Sequence, residues 1–265
     1  MLFTWLGLQC IGAVPVLINF NLTNKPLLHC ITAANAKLLI FDSEVASSVK
    51  TIKDELQIPS ICLVDLALPI SSEEFSWVQT VTSKDIEAHP DTRPPDSLRK
   101  GKQLTDMALL MFTSGTTGLP KPAIISFNKL GNAPVTFHHW AQITSKDRFY
   151  SCMPLYHATA LILGVAMMIR AGGTYVLGHK FSNATFWDEV RSSKATCIQY
   201  VGEMCRYLLA PPPSPRDKDH CVRLVFGNGM RPDVWNKFRE RFGIDTVCEL
   251  YAASGTLTPC LGTNW

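Results

Sequence analysis

The chain has 265 residues, with 25 Lys+Arg against 22 Asp+Glu, and this formal net charge of +3 gives no reason to expect nucleic acid as a partner. Apolar residues make up 46% and charged residues 18%, which excludes a disordered chain and leaves ample material for a core. The nine cysteines (Cys10, Cys30, Cys62, Cys152, Cys197, Cys205, Cys221, Cys248 and Cys260) are odd in number and form no CxxC pair. Most sit within apolar runs, where a thiol packs as a small hydrophobe, and the set reads as buried, reduced cysteines rather than as a disulfide framework or a zinc site.

Residues 1–24 contain no charged side chain, which raises a membrane-spanning alternative. Gly7, Gly12, Pro15 and Asn19 break the run, so a short helix followed by a strand is the expectation. No Lys or Arg precedes the apolar stretch, as a signal peptide would require. PVLINF, KLLIFD and SICLVD then read as buried strands. NKPLLHCITAANA and SEVASSVKTIKDEL read as helices between them, the first with Asn24 as cap and Pro26 in its first turn. This β-α-β-α-β rhythm predicts an α/β fold with a parallel sheet and helices on its faces.

From Pro69 to Lys102 the rhythm fails, and a polar linker or surface excursion near 69–105 is expected. It resumes with MALLMFTS as a strand, AIIS as a short strand and a helix from Phe127 to Gln142. GGTYVLG, TCIQYVG and CVRLVFGNG follow as strands. GEMCRYLLA reads as a helix stopped by PPPSP, and RPDVWNKFRERFG as a helix closing at Gly243. Trp235, Phe238 and Phe242 lie at i, i+3 and i+7 of that helix and predict one buried stripe.

The strand MALLMFTS delivers the chain into TSGTTGLPKPA, Thr113 to Ala123. Gly115 and Gly118 permit backbone conformations that expose N–H groups, and the hydroxyls of Thr113, Ser114, Thr116 and Thr117 add donors. Lys121 adds a positive charge. The spacing Gly115-x-x-Gly118-x-x-Lys121 differs from the Walker GxxxxGK[ST], so this is a different phosphate loop or a Thr/Gly-rich hairpin with an exposed lysine.

As an ordered string, TSGTTGLPK resembles the signature of the adenylate-forming superfamily of acyl-CoA synthetases, luciferases and peptide-synthetase adenylation domains. MPLYHATA, QYVGEMCRYLL, FGNGMRPDVW and CELYAAS occur in the right order for its fatty-acid transport protein and very-long-chain acyl-CoA synthetase branch. GLQCIGAVPVLINFNLTNKPLLHCI resembles the early part of the same domain, so the likeness runs from about Phe3 to Ser254. It implies the layered parallel-sheet subdomains of the large N-terminal domain of such an enzyme.

The resemblance also implies a reaction. A long- or very-long-chain fatty acid attacks the α-phosphate of ATP to give acyl-AMP and pyrophosphate, and CoA then takes the acyl group. Residues 113–121 would grip the β- and γ-phosphates, with Lys121 as the cation. His157 would lie near the reacting carboxylate; otherwise it is a core histidine beside Tyr156. Gly227, Asn228 and Gly229 would approach adenine, or else form a plain strand-to-helix turn. Tyr251 would stack on adenine, or else is a strand-end aromatic. Ser254 stands where the family has a hydroxyl near the α-phosphate. Glu203 and Arg206, at i, i+3, read as a surface ion pair beside which the family places its fatty-acid channel.

Mg2+ is implied too, held in part by a glutamate where this chain has Gly255, which offers no carboxylate. On this reading residues 1–254 are a partial adenylation domain, 255–265 are a foreign tail, and the C-terminal lid domain is absent. An incomplete gene model, a splice product or a decayed paralogue would each fit. The resemblance places the protein inside the cell and in association with a membrane of the endoplasmic reticulum, peroxisome, lipid droplet or cell surface. It names no protein partner.

Overall fold

The computed structural model describes residues 1–64, 75–113, 118–251 and 260–263, with the backbone alone at 251 and 260–263. Two compact units divide it, Met1–Ile124 and Ile125–Trp265.

The first unit opens with α1 (Leu2–Cys10), which buries Trp5, and the two-residue β1 (Val16–Leu17). In α2 (Asn24–Ala33), Leu27, Cys30 and Ile31 are buried at helical spacing. Leu27 and Ile31 join Phe41, Val49, Ile52, Cys62 and Val64, whereas Cys30 packs with Leu110 and Phe112. One helix thereby packs against residues of two sheets. Thr23, not Asn24, occupies its cap position. Asn24 has φ +50° and donates its backbone N–H to Thr51 Oγ1 at 2.8 Å, so a long-range bond overrides the local capping preference.

β2 (Leu39–Asp42) and β3 (Ser60–Val64) pair in parallel. The helix expected between them is reduced to a 3₁₀ turn, Ser43–Val45, and α3 (Ala46–Lys50). The Asp42 side chain accepts from Glu44 N at 3.0 Å and starts the tight turn. Within the polar stretch 69–105 the described residues include β4 (Gln79–Thr82), parallel to β3, and α4 (Ser83–Glu87). Thr82 and Asp85 form a reciprocal capping box on α4. β5 (Met107–Thr113) lies between β1 and β6 (Lys121–Ser126) in a three-stranded sheet.

In the second unit, Ser126 caps α5 (Phe127–Trp140), accepting from Lys129 N at 3.3 Å. β7 (Arg148–Ser151) leads to α6 (Ala158–Ala160), a π-helical turn over Leu161–Ala166 and α7 (Met167–Ala171). β8 (Thr174–Leu177), α8 (Phe186–Ser192), β9 (Cys197–Val201) and α9 (Gly202–Leu209) follow. β10 (Leu224–Asn228), α10 (Pro232–Phe242), β11 (Thr246–Tyr251) and β12 (Cys260–Thr263) complete it.

The sheet order is β12-β11-β10-β9-β7-β8, parallel except for the antiparallel β12. Both faces of the middle strands are covered, which explains their unbroken apolar runs. Val225 packs with Met204, Leu208, Trp235, Phe238 and Phe242, so the aromatic stripe of α10 is buried as its spacing predicts. Phe226, pointing the other way, meets Phe137 of α5 and Phe149 edge-on at 5.8 and 6.0 Å. Cys30, Cys62, Cys152, Cys197, Cys205 and Cys248 are buried, whereas Cys10 and Cys221 are exposed. Burial pushes the Cys30 and Cys152 thiols up to about 11, which disfavours the reactive thiolate.

Candidate active site

In the first unit, β5 buries Ala108 through Phe112 and so fixes where Thr113 emerges. Thr113 Oγ1 donates to the Lys121 carbonyl at 3.3 Å, tying the start of the loop to its end. A further tie comes from His29 of α2, whose Nε2–H donates to the Pro120 carbonyl at 3.0 Å. The backbone beside Lys121 is thus held, while the Lys121 side chain is exposed. Among the described residues, nothing lies within 4 Å of a Cβ built on Gly118. Ser114, Gly115, Thr116 and Thr117 lie outside the described residues, as do Ser254 and Gly255.

In the second unit the strand connections leave β7 and β9 in opposite directions: β7 leads to β8 on one side, β9 to β10 on the other. Ligands of open α/β sheets bind outside the carboxyl ends of strands at such a reversal. His157 follows β7, the Gly227–Gly229 turn ends β10, and Tyr251 ends β11, so these three candidates share one edge of the sheet.

His157 is exposed and stands at the start of α6, while Tyr156 is buried; their rings lie 4.4 Å apart and tilted by 49°. The reading of His157 as a core histidine is therefore corrected. The protein around the ring still desolvates its charged form and holds its pKa below the ordinary histidine value.

Behind it lies a polar pair that the sequence reading missed. Ser151 Oγ donates to Gln199 Oε1 at 2.6 Å, and Gln199 Nε2 donates to the Thr159 carbonyl at 2.8 Å. Both side chains are fully buried. They fasten the first turn after His157 to the sheet, beside a π-helical turn of the kind that recurs at functional sites.

The Gly227–Asn228–Gly229 turn is set by close approach. A Cβ on Gly227 would stand 2.0 Å from the Tyr200 carbonyl oxygen, and one on Gly202 would stand 1.6 Å from that of Gly229. Gly202→Ala is expected to cost about 1–3 kcal/mol, because backbone must move to admit the methyl group. A urea midpoint indistinguishable from that of the parent chain would contradict this. Beneath the turn, the Glu249 carboxylate accepts from the backbone N–H of Gly229 and Met230 and from the Tyr200 hydroxyl. Neither Tyr200 nor Glu249 was singled out by sequence; their relation depends on register across three strands.

Glu203 and Arg206 form an exposed ion pair at 2.5 Å, and the Arg206 guanidinium lies 4.8 Å above the Tyr207 ring. Such a pair adds little stability in water.

An open, mainly parallel α/β sheet with a glycine turn and a histidine on its carboxyl edge defines a doubly wound α/β domain, the class whose ligands bind at that edge. The family model described as AMP-binding enzyme matches residues 1–264, and the chain belongs to that family. A very long-chain fatty acid transport protein of Cochliobolus heterostrophus is 40% identical over 99% of this chain and 39% of its own length. A medium/long-chain-fatty-acid–CoA ligase of Mycobacterium tuberculosis is 36% identical over 92% of this chain and 38% of its own. The chain therefore spans about two fifths of the length of these curated relatives. Among solved structures, a benzoate CoA ligase from Burkholderia xenovorans superposes with TM-score 0.78. The superposition covers 98% of this chain and 49% of that one, and at 18% identity it shows the fold alone.

Proposed function

We propose that this chain belongs to an AMP-forming ligase that activates long- or very-long-chain fatty acids with ATP and passes them to CoA, linked to fatty-acid uptake. The observation that carries the reading is the grouping of His157, the Gly227–Gly229 turn and the end of β11 on one carboxyl edge, in a chain of the AMP-binding enzyme family. The names of the relatives support the substrate class.

In the first step a carboxylate oxygen attacks the α-phosphorus and pyrophosphate leaves. In the second, the CoA thiolate attacks the acyl carbonyl and AMP leaves. Thr113, Ser114, Gly115, Thr116, Thr117, Gly118 and Lys121 take the β- and γ-phosphates, where donors and a cation offset the developing charge. Gly227, Asn228, Gly229 and Tyr251 take the adenine, and Ser254 the α-phosphate. His157, neutral near pH 7 because its pKa is depressed, donates one hydrogen bond to the incoming carboxylate without holding it by a full charge.

Mg2+ does not fit the described residues at this edge. Gly255 has no carboxylate, and the Glu249 carboxylate is already engaged with two backbone amides and Tyr200.

Uptake by trapping the fatty acid as its CoA ester needs no pore, and no described helix is long and apolar enough to cross a membrane. Membrane association is part of the proposal, on the strength of the relatives named as transport proteins. Gly255 favours a second reading, in which the chain binds nucleotide or acyl chain without turnover.

The deciding test is fatty-acid-dependent exchange of pyrophosphate into ATP, across a series of acyl lengths. Exchange is the expected result. A folded chain that binds ATP but exchanges nothing with any fatty acid would establish the second reading instead.

A further inference from the structure

We propose that Glu249 is a positioning residue that presets the Gly227–Gly229 turn for nucleotide, a role that rests on the adenine reading of that turn given above. Tyr200 of β9, Gly227 of β10 and Glu249 of β11 are direct partners in the strand register, so they form one row across the sheet. Residues aligned in this way on parallel strands point to the same face. Gly227 contributes no side chain to that face, and a Cβ there would come within 2.8 Å of the Tyr200 ring. The gap over β10 lets the Tyr200 hydroxyl cross to Glu249 and donate to its carboxylate.

The same carboxylate receives the Gly229 and Met230 amides, which follow directly after β10. A charged acceptor shared by two consecutive amides and a buried phenol leaves the turn one conformation. Left without this acceptor, the amides would turn to water and the segment between β10 and α10 would sample other shapes. Binding would then include the cost of ordering the turn. Gly227 on this account does more than let backbone approach a ring: it clears the path for the bridge that holds the turn.

The test uses the full chain and four variants, Glu249→Ala, Glu249→Gln, Tyr200→Phe and Asn228→Leu, with circular dichroism to establish folding. Two ligands are titrated by calorimetry: AMP, and inorganic tripolyphosphate, which has no adenine. Amide hydrogen exchange of the peptide containing Gly229 and Met230 is read without ligand. Glu249→Ala is expected to speed that exchange and to weaken AMP by about tenfold, with tripolyphosphate within about twofold. Glu249→Gln, which can keep an acceptor oxygen on the Gly229 and Met230 amides while its NH2 donates to the Tyr200 hydroxyl, loses the charge but not the acceptor and is expected to fall between Ala and the parent. Tyr200→Phe, which frees the carboxylate from one restraint only, is expected to weaken AMP by about two- to threefold.

If Glu249→Ala does not fold, the Gln and Phe variants decide by the same criteria. Unchanged AMP affinity in the Glu249 variants, with Asn228→Leu weakening AMP, would overturn the positioning role and leave the adenine reading standing. Equal losses for AMP and tripolyphosphate would reduce Glu249 to general stability and overturn the proposal. Indifference of AMP to both Glu249 and Asn228 would remove the adenine reading and the proposal together.

Discussion

Replacing Lys121 with alanine is expected to weaken ATP and inorganic tripolyphosphate by roughly 10- to 100-fold, the loss of one charge-assisted hydrogen bond to a phosphate. AMP is expected to stay within about twofold, because the β- and γ-phosphates alone face this cation on the reading above. The geometry favours a clean result. Thr113 Oγ1 holds the Lys121 carbonyl and His29 the Pro120 carbonyl, so the backbone of the loop's end does not depend on the lysine side chain. That side chain is exposed, so its removal takes no packing from the core. Isothermal calorimetry of the three ligands at two salt concentrations is the measurement. The ATP difference should shrink as salt rises, because exposed charges are screened. Equal losses of ATP and AMP would deny Lys121 the assigned role.

The parts of the fold that were legible in sequence are those whose signal is local. KLLIFD, SICLVD, MALLMFTS, TCIQYVG and CVRLVFGNG all contain strands, because buried parallel strands read as unbroken apolar runs. The stripe in α10 was legible because one of its faces meets the core and the other meets water. The 158–171 helix, with its π turn, gave no such contrast. Ala158, Ala160 to Gly164, Val165, Met167 and Met168 are buried, and periodicity vanishes when almost every position is apolar. β7 was missed because RFYS is four residues opening on an arginine, and its assignment rests on pairing with β8 and β9. Asn24 illustrates the same limit, since the partner of its N–H, Thr51, is 27 residues away.

The candidate site divides along similar lines. The loop 113–121, His157 and the glycine turn were visible as ordered strings of residues that phosphate, carboxylate and backbone approach call for. Tyr200 and Glu249 were not, because they are 49 residues apart and only strand register brings them together over Gly227. His29 and Pro120 are 91 apart and were equally invisible. In each case the missed group holds the backbone of a legible one. Residues that bind carry their chemistry in their type, whereas residues that position carry it in their neighbours.

Asp147 does at the amino ends of the strands what Glu249 does at their carboxyl ends, and its loss is expected to be the costliest for stability. It precedes β7, while Thr196 precedes β9 and Arg223 precedes β10. Its buried carboxylate accepts from Arg223 Nε at 3.0 Å and from a second guanidinium nitrogen at 2.8 Å. Thr196 Oγ1 donates at 2.7 Å and Thr144 N at 2.8 Å, so the starts of three strands converge on one anion. Burial alone would raise its pKa, but the bonds from Arg223, Thr196 and Thr144 outweigh burial and hold it well below the usual carboxylate range. Asp147→Ala is expected to cost about 3 kcal/mol, toward the low end for a broken buried pair, since the Arg223 guanidinium is partly exposed and can rehydrate. Because the folded pKa is depressed, this contribution is complete above the unfolded aspartate pKa. It declines as pH falls through that value toward the folded one. Urea unfolding from pH 7 down to pH 3 should therefore show the parent chain losing stability faster than Asp147→Asn, which carries no proton-linked charge there. AMP affinity of the folded fraction at pH 7 should be unchanged in either variant, because the network lies at the opposite end of the strands from the candidate site. Parallel stability curves for the parent and Asp147→Asn would mean that other carboxylates govern the acid limb and that the Asp147 bonds add little beyond their own desolvation.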